Sequence, residues 1–474
     1  MSSAETRRFE RRVALLILAV TLWRIITLGF DQTELWVDEA QYWLWGKNLD
    51  WGYFSKPPLI AFWLAGVTEL VGSDDKFWIR ATGSLLHATT ALVIWRAAQR
   101  LYGGKTGAWA AALYVTLPFV AVGSWQFSTD TVMLPFFALG LLAWTHLRVS
   151  QSLLWALILG MAAGLGTLGK YAALYLPLLL ALAALVVPSA RIAWRDAAIA
   201  AITALIVLSP NLIWNLQNGG TTFRHVAEDN AKVGATTLNP TAALEFLASQ
   251  LVVFGPLLLL GLLYAALTFP KRGPESRALL LLSLPVILLM TLQAARAGAN
   301  ANWAVTAYIA GTALAAATLG RRMLKFSVTL GLIVTIALPL AYMNAERLRL
   351  PNGDLLAKRY LGVTTLSRKI AQSAQDQGLD TIVAVRRSVL ADLFHTLRDS
   401  DLAIHALPTT GKPRNYYQQT FPLPEGTEND VLFIDHTPPD CHEIREIGIH
   451  APNDGLYAGL RYGLWRVPAT CLLP

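Results

Sequence analysis

The chain has 474 residues, of which 54% are hydrophobic and only 15% are charged. Soluble domains carry about 25% charged residues, so this composition excludes an ordinary soluble protein and indicates an integral membrane protein. The net charge of +8 does not indicate nucleic-acid binding, because the basic residues lie largely in short loops between apolar segments. The two cysteines, Cys441 and Cys471, form no CxxC metal motif.

Apolar segments of roughly 20 residues can cross a bilayer as helices. By that criterion the sequence predicts about eleven transmembrane helices, near 13–30, 77–99, 107–123, 131–147, 153–169, 171–187, 197–214, 246–269, 278–294, 303–319 and 325–343. The stretch 59–72 is short for a span and predicts an interfacial or re-entrant helix.

Basic residues are concentrated in alternate short loops, which predicts that those loops are cytoplasmic. The N-terminus carries four arginines before the first apolar run and no cleavage site after it, so we expect an uncleaved first helix with a cytoplasmic start. The outer loops are then 31–76, 124–130, 169–170, 215–245 and 294–302, and an odd number of spans places the C-terminus outside.

The composition changes near Asn344, where charged residues, Gly and Pro become frequent. The sequence therefore predicts a membrane domain over 1–343 and a small extracytoplasmic α/β domain over 344–474. TIVAVRRSVLADLFHTLRDSDLAIHA indicates strand–helix–strand, and DVLFID and GLYAGLRYGLWRVP indicate further strands. A Cys441–Cys471 disulfide is allowed outside the cytoplasm, but the sequence cannot decide whether it forms.

The predicted topology gathers the unusual polar residues on the outer face. Charged groups near a bilayer are costly unless they are paired or line a cavity, so this convergence marks a candidate site. Its first part is the polar, aromatic loop from Trp36 to Pro58, which includes Tyr53. The other candidates from the outer loops and span ends are Asp130, Lys170, His225, Arg296 and Asn302.

Two adjacent acids stand near the start of that loop. A carboxylate beside apolar surface can serve as a general base, which is one interpretation of Asp38. The other is an interfacial acid that pairs with Lys47 or another base. Glu39 fits a helix N-terminal acid better, because EAQYWLWGKNL has a helical pattern.

Lys56 precedes two prolines, which hold it on a stiff, non-helical segment. An ammonium fixed at the membrane surface suits a phosphate ligand. A helix-breaking turn with a snorkelling lysine explains the same pattern.

The remaining candidates also have two interpretations each. Asp130, in QFSTDTV, either caps a helix or binds sugar hydroxyls or the acceptor. Lys170 and Arg296 sit at span ends and either snorkel or hold an anionic head group. His225 is either an ordinary surface histidine or a polar or metal contact.

Several motifs occur in an order that resembles a known family: WVDEAQYWLWGKNLDWGYFSKPPLIAFW, FWIRATGSLL, QFSTDTVMLPFFALGLL, GLGTLGKYAALYLP, SPNLIWNLQN and NANWAVTAY. Over about residues 10–320 the chain resembles the family 39-type glycosyltransferases of the GT-C superfamily. It is most similar to the bacterial branch that includes the aminoarabinose transferase of lipid A and the rhizobial galacturonic acid transferases of lipopolysaccharide.

The resemblance implies an enzyme of the bacterial inner membrane that transfers a monosaccharide, with inversion, from a polyprenyl-phosphate donor to a lipid or glycan acceptor on the outer face. It places the two catalytic acids at Asp38 and Asp130 and the donor-phosphate lysine at Lys56. Lys170 and Arg296 could help to stabilise the leaving phosphate. The candidate substrate contacts are Glu39, Tyr53, His225 and Asn302.

In the aminoarabinose enzyme the residue before this lysine is acidic and can hold a metal. Here it is Ser55, so we expect no metal and no other cofactor. The expected partners are the donor, the acceptor and the bilayer, without nucleic acid. Three alternatives stay open: a sugar-lipid transporter or flippase, transfer to protein, and a non-catalytic binding subunit.

Overall fold

The computed structural model describes residues 3–230 and 238–473. Most of these residues are helical, and a small sheet lies in the C-terminal part. Two units can be separated: the first comprises Met1–Gly29, Lys56–Ile60 and Phe77–Pro339, and the second comprises Phe30–Ser55, Ala61–Lys76 and Leu340–Pro474. The first outer loop predicted from the sequence therefore falls largely in the second unit. The domain limits at 343 and 344 stay predictions.

The α-helices in chain order are α1 Ser3–Leu28, α2 Val37–Lys47, α3 Leu59–Val71, α4 Lys76–Tyr102, α5 Gly104–Val115, α6 Pro118–Gly123, α7 Thr129–Leu147, α8 Leu153–Gly169, α9 Tyr175–Val186, α10 Trp194–Gln217, α11 Thr221–Asn230, α12 Pro240–Val253, α13 Pro256–Leu267, α14 Pro274–Leu281, α15 Leu284–Ala297, α16 Thr306–Thr318, α17 Arg321–Tyr342, α18 Val363–Asp376, α19 Arg387–Thr396 and α20 Tyr416–Thr420. The strands are β1 Thr381–Ala384, β2 Ala403–Ala406, β3 Asp430–Asp435, β4 Arg445–His450 and β5 Tyr462–Pro468.

Within the described ranges, four helical segments are long and apolar enough to cross a membrane: Thr129–Leu147, Trp194–Gln217, Pro274–Ala297 and Arg321–Tyr342. A fifth is obtained if α12 and α13 are counted as one span. The chain is thus a multi-pass membrane protein by length and composition, and the prediction of about eleven spans is not established by this criterion.

The segment predicted as one span over 246–269 is instead a bent pair, since α12 and α13 meet at 115°. Gly255 between them has a φ of 101°, which favours glycine, and Pro256 begins α13. The Gly-Pro pair thus lies at the break between the two helices. Part of the predicted outer loop 215–245 is likewise helical, as α11, and residues 231–237 of that loop lie outside the described residues.

Small residues allow close helix packing in the first unit. α8 packs against α7 on one side and α10 on another. A Cβ atom at Gly160 would lie 2.4 Å from the Ala200 carbonyl oxygen, and one at Gly164 would lie 2.7 Å from the Val207 Cβ. Glycines four residues apart give a helix a smooth strip for a neighbour, so this spacing brings α10 close to α8 and fixes the end of α8 that carries Lys170.

The second unit contains a five-stranded sheet in the order β2-β1-β3-β5-β4. β1 is parallel to β2 and β3, whereas β5 is antiparallel to β3 and β4. The predicted strand–helix–strand unit is confirmed as β1, α19 and β2, and DVLFID is confirmed as β3. Sequence patterns missed α18 and β4. A disulfide joins Cys441 to Cys471, the pairing that the sequence left open.

Candidate functional site

Asp130 lies in the first turn of α7. The helix is capped by Ser128, whose side chain accepts a hydrogen bond from the Thr131 amide. Because Ser128 is the N-cap residue, the Asp130 carboxylate is available for tertiary contacts. Its side chain is only 3% exposed, and a buried carboxylate requires a charged or hydrogen-bonding partner.

Both oxygens of Asp130 have such partners. The Lys170 ammonium donates to Oδ1 at 2.7 Å, and the Asn302 amide nitrogen donates to Oδ2 at 2.7 Å. Lys170 is the C-cap residue of α8 with extended backbone, and Asn302 lies in the short 3-10 helix Ala301–Ala304. Three predicted site residues from distant parts of the sequence are therefore brought together in the first unit, and we name them the Asp130 clamp.

The charge of the Asp130 clamp limits what it can bind. Lys170 and Asp130 neutralise each other, and the Lys170 side chain keeps 19% exposure. An ammonium has three N–H donors, and within the described chain only one of those of Lys170 is used, on Asp130. The clamp can therefore donate hydrogen bonds to a polar ligand, but it lacks the net positive charge that suits a phosphate.

Asp38 lies in the first turn of α2, in the second unit. Its Oδ1 forms an ion pair with Nη2 of Arg387, the first residue of α19, and Nε of Arg387 donates to the Gln41 side-chain oxygen at 2.8 Å. Lys47, the partner considered from the sequence, pairs with Asp74 at 2.6 Å instead. Asp38 keeps 43% of its side-chain surface exposed, so a ligand can reach the carboxylate.

Glu39 and Tyr53 have structural contacts in the same unit. Glu39 is fully buried, and its carboxylate accepts the Trp36 amide at 2.9 Å, which stabilises the start of α2. Tyr53 is buried, stacks on Trp45 with ring centroids 4.4 Å apart, and donates its hydroxyl to the Trp45 carbonyl at 3.0 Å. The predicted substrate contacts of Glu39 and Tyr53 stay predictions. The contacts described here stabilise the conformation of the loop from Trp36 to Pro58.

Lys56 belongs to the first unit and is half-buried, followed by the buried Pro57 and Pro58. The expected non-helical segment is present, because α3 begins only at Leu59. The structure thus places Lys56 on the stiff connection that the two prolines predict, immediately before a helix.

Arg296 and His225 also lie in the first unit. Arg296 is in the last turn of α15 and is exposed, where no hydrogen bond or ion pair joins it to a described residue. His225 is half-buried and lies in α11, not in the loop predicted from the sequence. Neither residue is part of the Asp130 clamp, so their predicted roles stay predictions.

Sequence reasoning missed a polar network beside Lys170. The Tyr171 hydroxyl donates to the Asn211 side-chain oxygen at 2.9 Å, and the Asn215 amide donates to the Asn211 carbonyl at 3.0 Å. Asn211 and Asn215 are buried on α10. The signal available was two asparagines four residues apart in an apolar helix, a spacing that places both on one face.

Several titratable groups of the second unit have shifted pKa values that follow from their surroundings. Burial raises the pKa of Asp392 well above its ordinary value, although the Tyr457 hydroxyl donates to it. Burial lowers the pKa of His395 to about 4, so the ring is neutral at pH 7. Burial would raise the pKa of Asp74, but hydrogen bonds from Lys47 and Trp43 give a net lowering. Of these groups, His395 joins α19 to α2, because its ring packs against Trp43.

Comparison with known proteins gives three findings. The family model described as dolichyl-phosphate-mannose-protein mannosyltransferase matches residues 55–214. The lipid A galacturonosyltransferase RgtD of Rhizobium johnstonii is 44% identical over 467 residues, covering 97% of this chain and 98% of that protein.

The fold is similar to crystal structures of ArnT from Cupriavidus metallidurans. The apo structure has a TM-score of 0.66 at 13% identity, covering 97% of this chain and 98% of that chain. The structure bound to undecaprenyl phosphate has a TM-score of 0.63 at 16% identity, covering 97% and 99%.

Proposed function

We propose that this chain, which belongs to the glycosyltransferase family of the Rhizobium lipid A galacturonosyltransferase, transfers a galacturonosyl group from a polyprenyl-phosphate donor to lipid A. The observation that carries this proposal is the 44% identity that extends over 97% of the chain. The undecaprenyl phosphate in one ArnT crystal structure of the same fold supports a donor of that class.

The proposed reaction is a single in-line displacement with inversion. The acceptor oxygen forms the new bond to C1 of the sugar, the bond from C1 to the phosphate oxygen breaks, and polyprenyl phosphate leaves with the electron pair. When the acceptor is a hydroxyl, its proton moves to the Asp38 carboxylate. When the acceptor is already a phosphate, no base is needed and Asp38 orients it.

The leaving phosphate requires a fixed positive charge. We assign this role first to Lys56, because its segment is rigid and precedes α3, and then to the exposed Arg296. Lys170 is a weaker candidate for the phosphate, because Asp130 neutralises its charge. For the Asp130 clamp we propose contact with sugar or acceptor hydroxyls, which match its free N–H donors.

We further propose about eleven spans with a cytoplasmic N-terminus, and a periplasmic active site and C-terminal domain in the inner membrane. The bias of basic residues toward alternate loops supports this orientation. The Cys441–Cys471 disulfide agrees with it, because disulfides persist in the periplasm and are rare in the cytosol. Cysteine-accessibility labelling at two exposed positions tests it. Lys105, near the start of α5, and Arg296, in the last turn of α15, should be labelled from opposite sides.

A metal-free reaction is also part of the proposal. Ser55 cannot supply a carboxylate ligand beside Lys56, and the described residues hold no cluster of three His, Cys, Asp or Glu side chains. Purified enzyme should keep its transfer rate in excess EDTA. A rate that EDTA abolishes and a divalent cation restores would contradict the proposal.

The experiment that tests the function is mass spectrometry of lipid A from a deletion strain. Loss of a hexuronic acid from lipid A, restored by the wild-type gene and not by an Asp38→Asn variant, is the expected result. Unchanged lipid A with an altered core oligosaccharide or glycoprotein would show a different acceptor, and no change in any envelope glycan would contradict a transferase role.

Replacing Lys56 by Ala should weaken binding of undecaprenyl phosphate about 10- to 100-fold, the loss expected for one hydrogen bond to a charged group. Isothermal titration with the purified protein measures this affinity. Lys105→Ala is the matched control, because it removes an exposed lysine from a predicted cytoplasmic loop of the same unit. Normal affinity of the Lys56→Ala variant would remove its phosphate role.

A further inference from the structure

One arginine of the C-terminal part of the chain holds two residues of α2. Asp38 and Gln41 are three residues apart, so they lie on the same face of that helix. Nη2 of Arg387 pairs with Oδ1 of Asp38, and its Nε donates to Gln41 at 2.8 Å. The guanidinium is thus fixed at two of its nitrogens, a geometry that a planar fork of donors provides and a lysine does not.

Local stability does not explain this placement. Arg387 is the first residue of α19, where a cation opposes the positive end of the helix dipole. The side chains of Arg387 and Asp38 keep 40% and 43% exposure, and ion pairs with that exposure contribute little to folding. The position of Arg387 is therefore unfavourable toward the helix dipole, and the ion pair adds little stability. This is the pattern expected when a contact serves a site.

The helix that carries Arg387 is anchored independently of the ion pair. Leu390 and Leu393 are completely buried. His395, near the C-terminal end of α19, meets Trp43 of α2 edge to face with ring centroids 4.9 Å apart. Both helices belong to the second unit. The Arg387 guanidinium is therefore carried by α19, a helix that is packed in place, and this packing defines its position relative to Asp38.

We propose that Arg387 is a positioning residue for sugar transfer, which holds the Asp38 carboxylate in a fixed orientation while Gln41 fixes the guanidinium. This inference rests on the proposed role of Asp38. Arg387 occupies Oδ1, and within the described residues Oδ2 makes no hydrogen bond. Oδ2 is therefore the oxygen that accepts the proton of an acceptor hydroxyl or orients the acceptor. A residue of the C-terminal part of the chain, Arg387, thus positions a catalytic candidate in the N-terminal third, Asp38.

The test compares variants of the full-length enzyme, with undecaprenyl phosphate galacturonic acid as donor and purified lipid A as acceptor. Arg387→Met should lower kcat about 10- to 100-fold, because a misplaced catalytic group costs that much. Arg387→Lys keeps the positive charge but lacks the planar set of N–H donors, so its kcat should lie between those of Arg387→Met and the wild type. KM for the donor and the affinity for undecaprenyl phosphate should stay within about twofold of wild type, since Arg387 acts on Asp38.

Arg386→Met is the matched control. Arg386 is the neighbouring arginine and pairs with Asp435 at 3.2 Å, with 50% of its own side chain exposed. The Arg386→Met variant should have an unchanged kcat. The midpoint of its thermal unfolding should match that of the Arg387→Met variant. Equal losses of kcat in Arg386→Met and Arg387→Met would overturn the proposal, because they would indicate a general disturbance of the unit.

Asp38→Asn separates this proposal from the proposed function. A normal kcat for Arg387→Met beside an inactive Asp38→Asn would overturn the role of Arg387 and leave the function standing. An Asp38→Asn enzyme with the wild-type kcat would remove the role of Asp38 and with it that of Arg387. Wild-type enzyme that transfers nothing from this donor would contradict the function itself.

Discussion

Replacing Asp38 by Asn is expected to lower kcat for transfer to a hydroxyl acceptor by about 10²- to 10⁴-fold, the usual contribution of a general base. The amide keeps the size of the side chain but cannot take a proton, and it loses the charge that Arg387 holds. Affinity for undecaprenyl phosphate should remain largely intact, because we assign the phosphate to Lys56. Transfer measured with radiolabelled sugar and binding measured by titration separate the two effects.

Asp435→Asn is the control for Asp38→Asn, since it removes one negative charge from another ion pair of the second unit. Asp435 pairs with Arg386 at 3.2 Å and has no assigned role in the site, so kcat should change little. A loss below about tenfold for Asp38→Asn would indicate an acceptor that is already a phosphate, for which Asp38 only orients. Unchanged product would exclude Asp38 from catalysis.

The grouping in the Asp130 clamp could be predicted from the sequence because hydrophobic spans order the loops between them. Once α7 and α8 are recognised as apolar helices, Asp130 at the start of one and Lys170 at the end of the other must fall on the same side of the bilayer. Their direct contact required the structure, because the side of the membrane does not specify distances.

The partner of Asp38 could not be predicted, because Arg387 is 349 residues away in the chain. No periodicity or motif relates a residue in the first polar loop to the start of a helix in the C-terminal part. Lys47 was the nearer base in sequence, but it pairs with Asp74. Long-range pairing depends on how α19 packs against α2, which local patterns do not encode.

Helix breaks within apolar segments were also missed for a physical reason. Hydropathy averaged over a window contains no information on the direction of the helix axis or on backbone conformation. The segment 246–269 was therefore predicted as one continuous span. The relevant residues are Gly255, the N-cap residue of α13, and Pro256, its first residue. In a membrane segment such residues are tolerated when neighbouring helices satisfy the backbone, and their presence alone is therefore an ambiguous signal.

Replacing Asp130 by Leu is expected to abolish transfer and to lower the free energy of unfolding by about 3 kcal/mol, near the low end for breaking a buried ion pair. The loss should fall near that low end because Lys170 keeps 19% exposure and can reach water once its partner is removed. Asn302 also loses the oxygen to which it donates at 2.7 Å. Activity in native membranes and thermal unfolding of the purified protein measure the two losses.

A double variant, Asp130→Leu with Lys170→Leu, separates the structural role of the Asp130 clamp from its functional role. Replacing both charges of a buried pair by apolar side chains is often neutral for stability, so most of the lost stability should return while transfer stays absent. Glu275→Leu is the control, because it breaks the ion pair with Arg148 at 2.7 Å elsewhere in the first unit; it should destabilise the protein without removing activity. If the double variant regains transfer together with stability, the Asp130 clamp is structural and contacts no substrate.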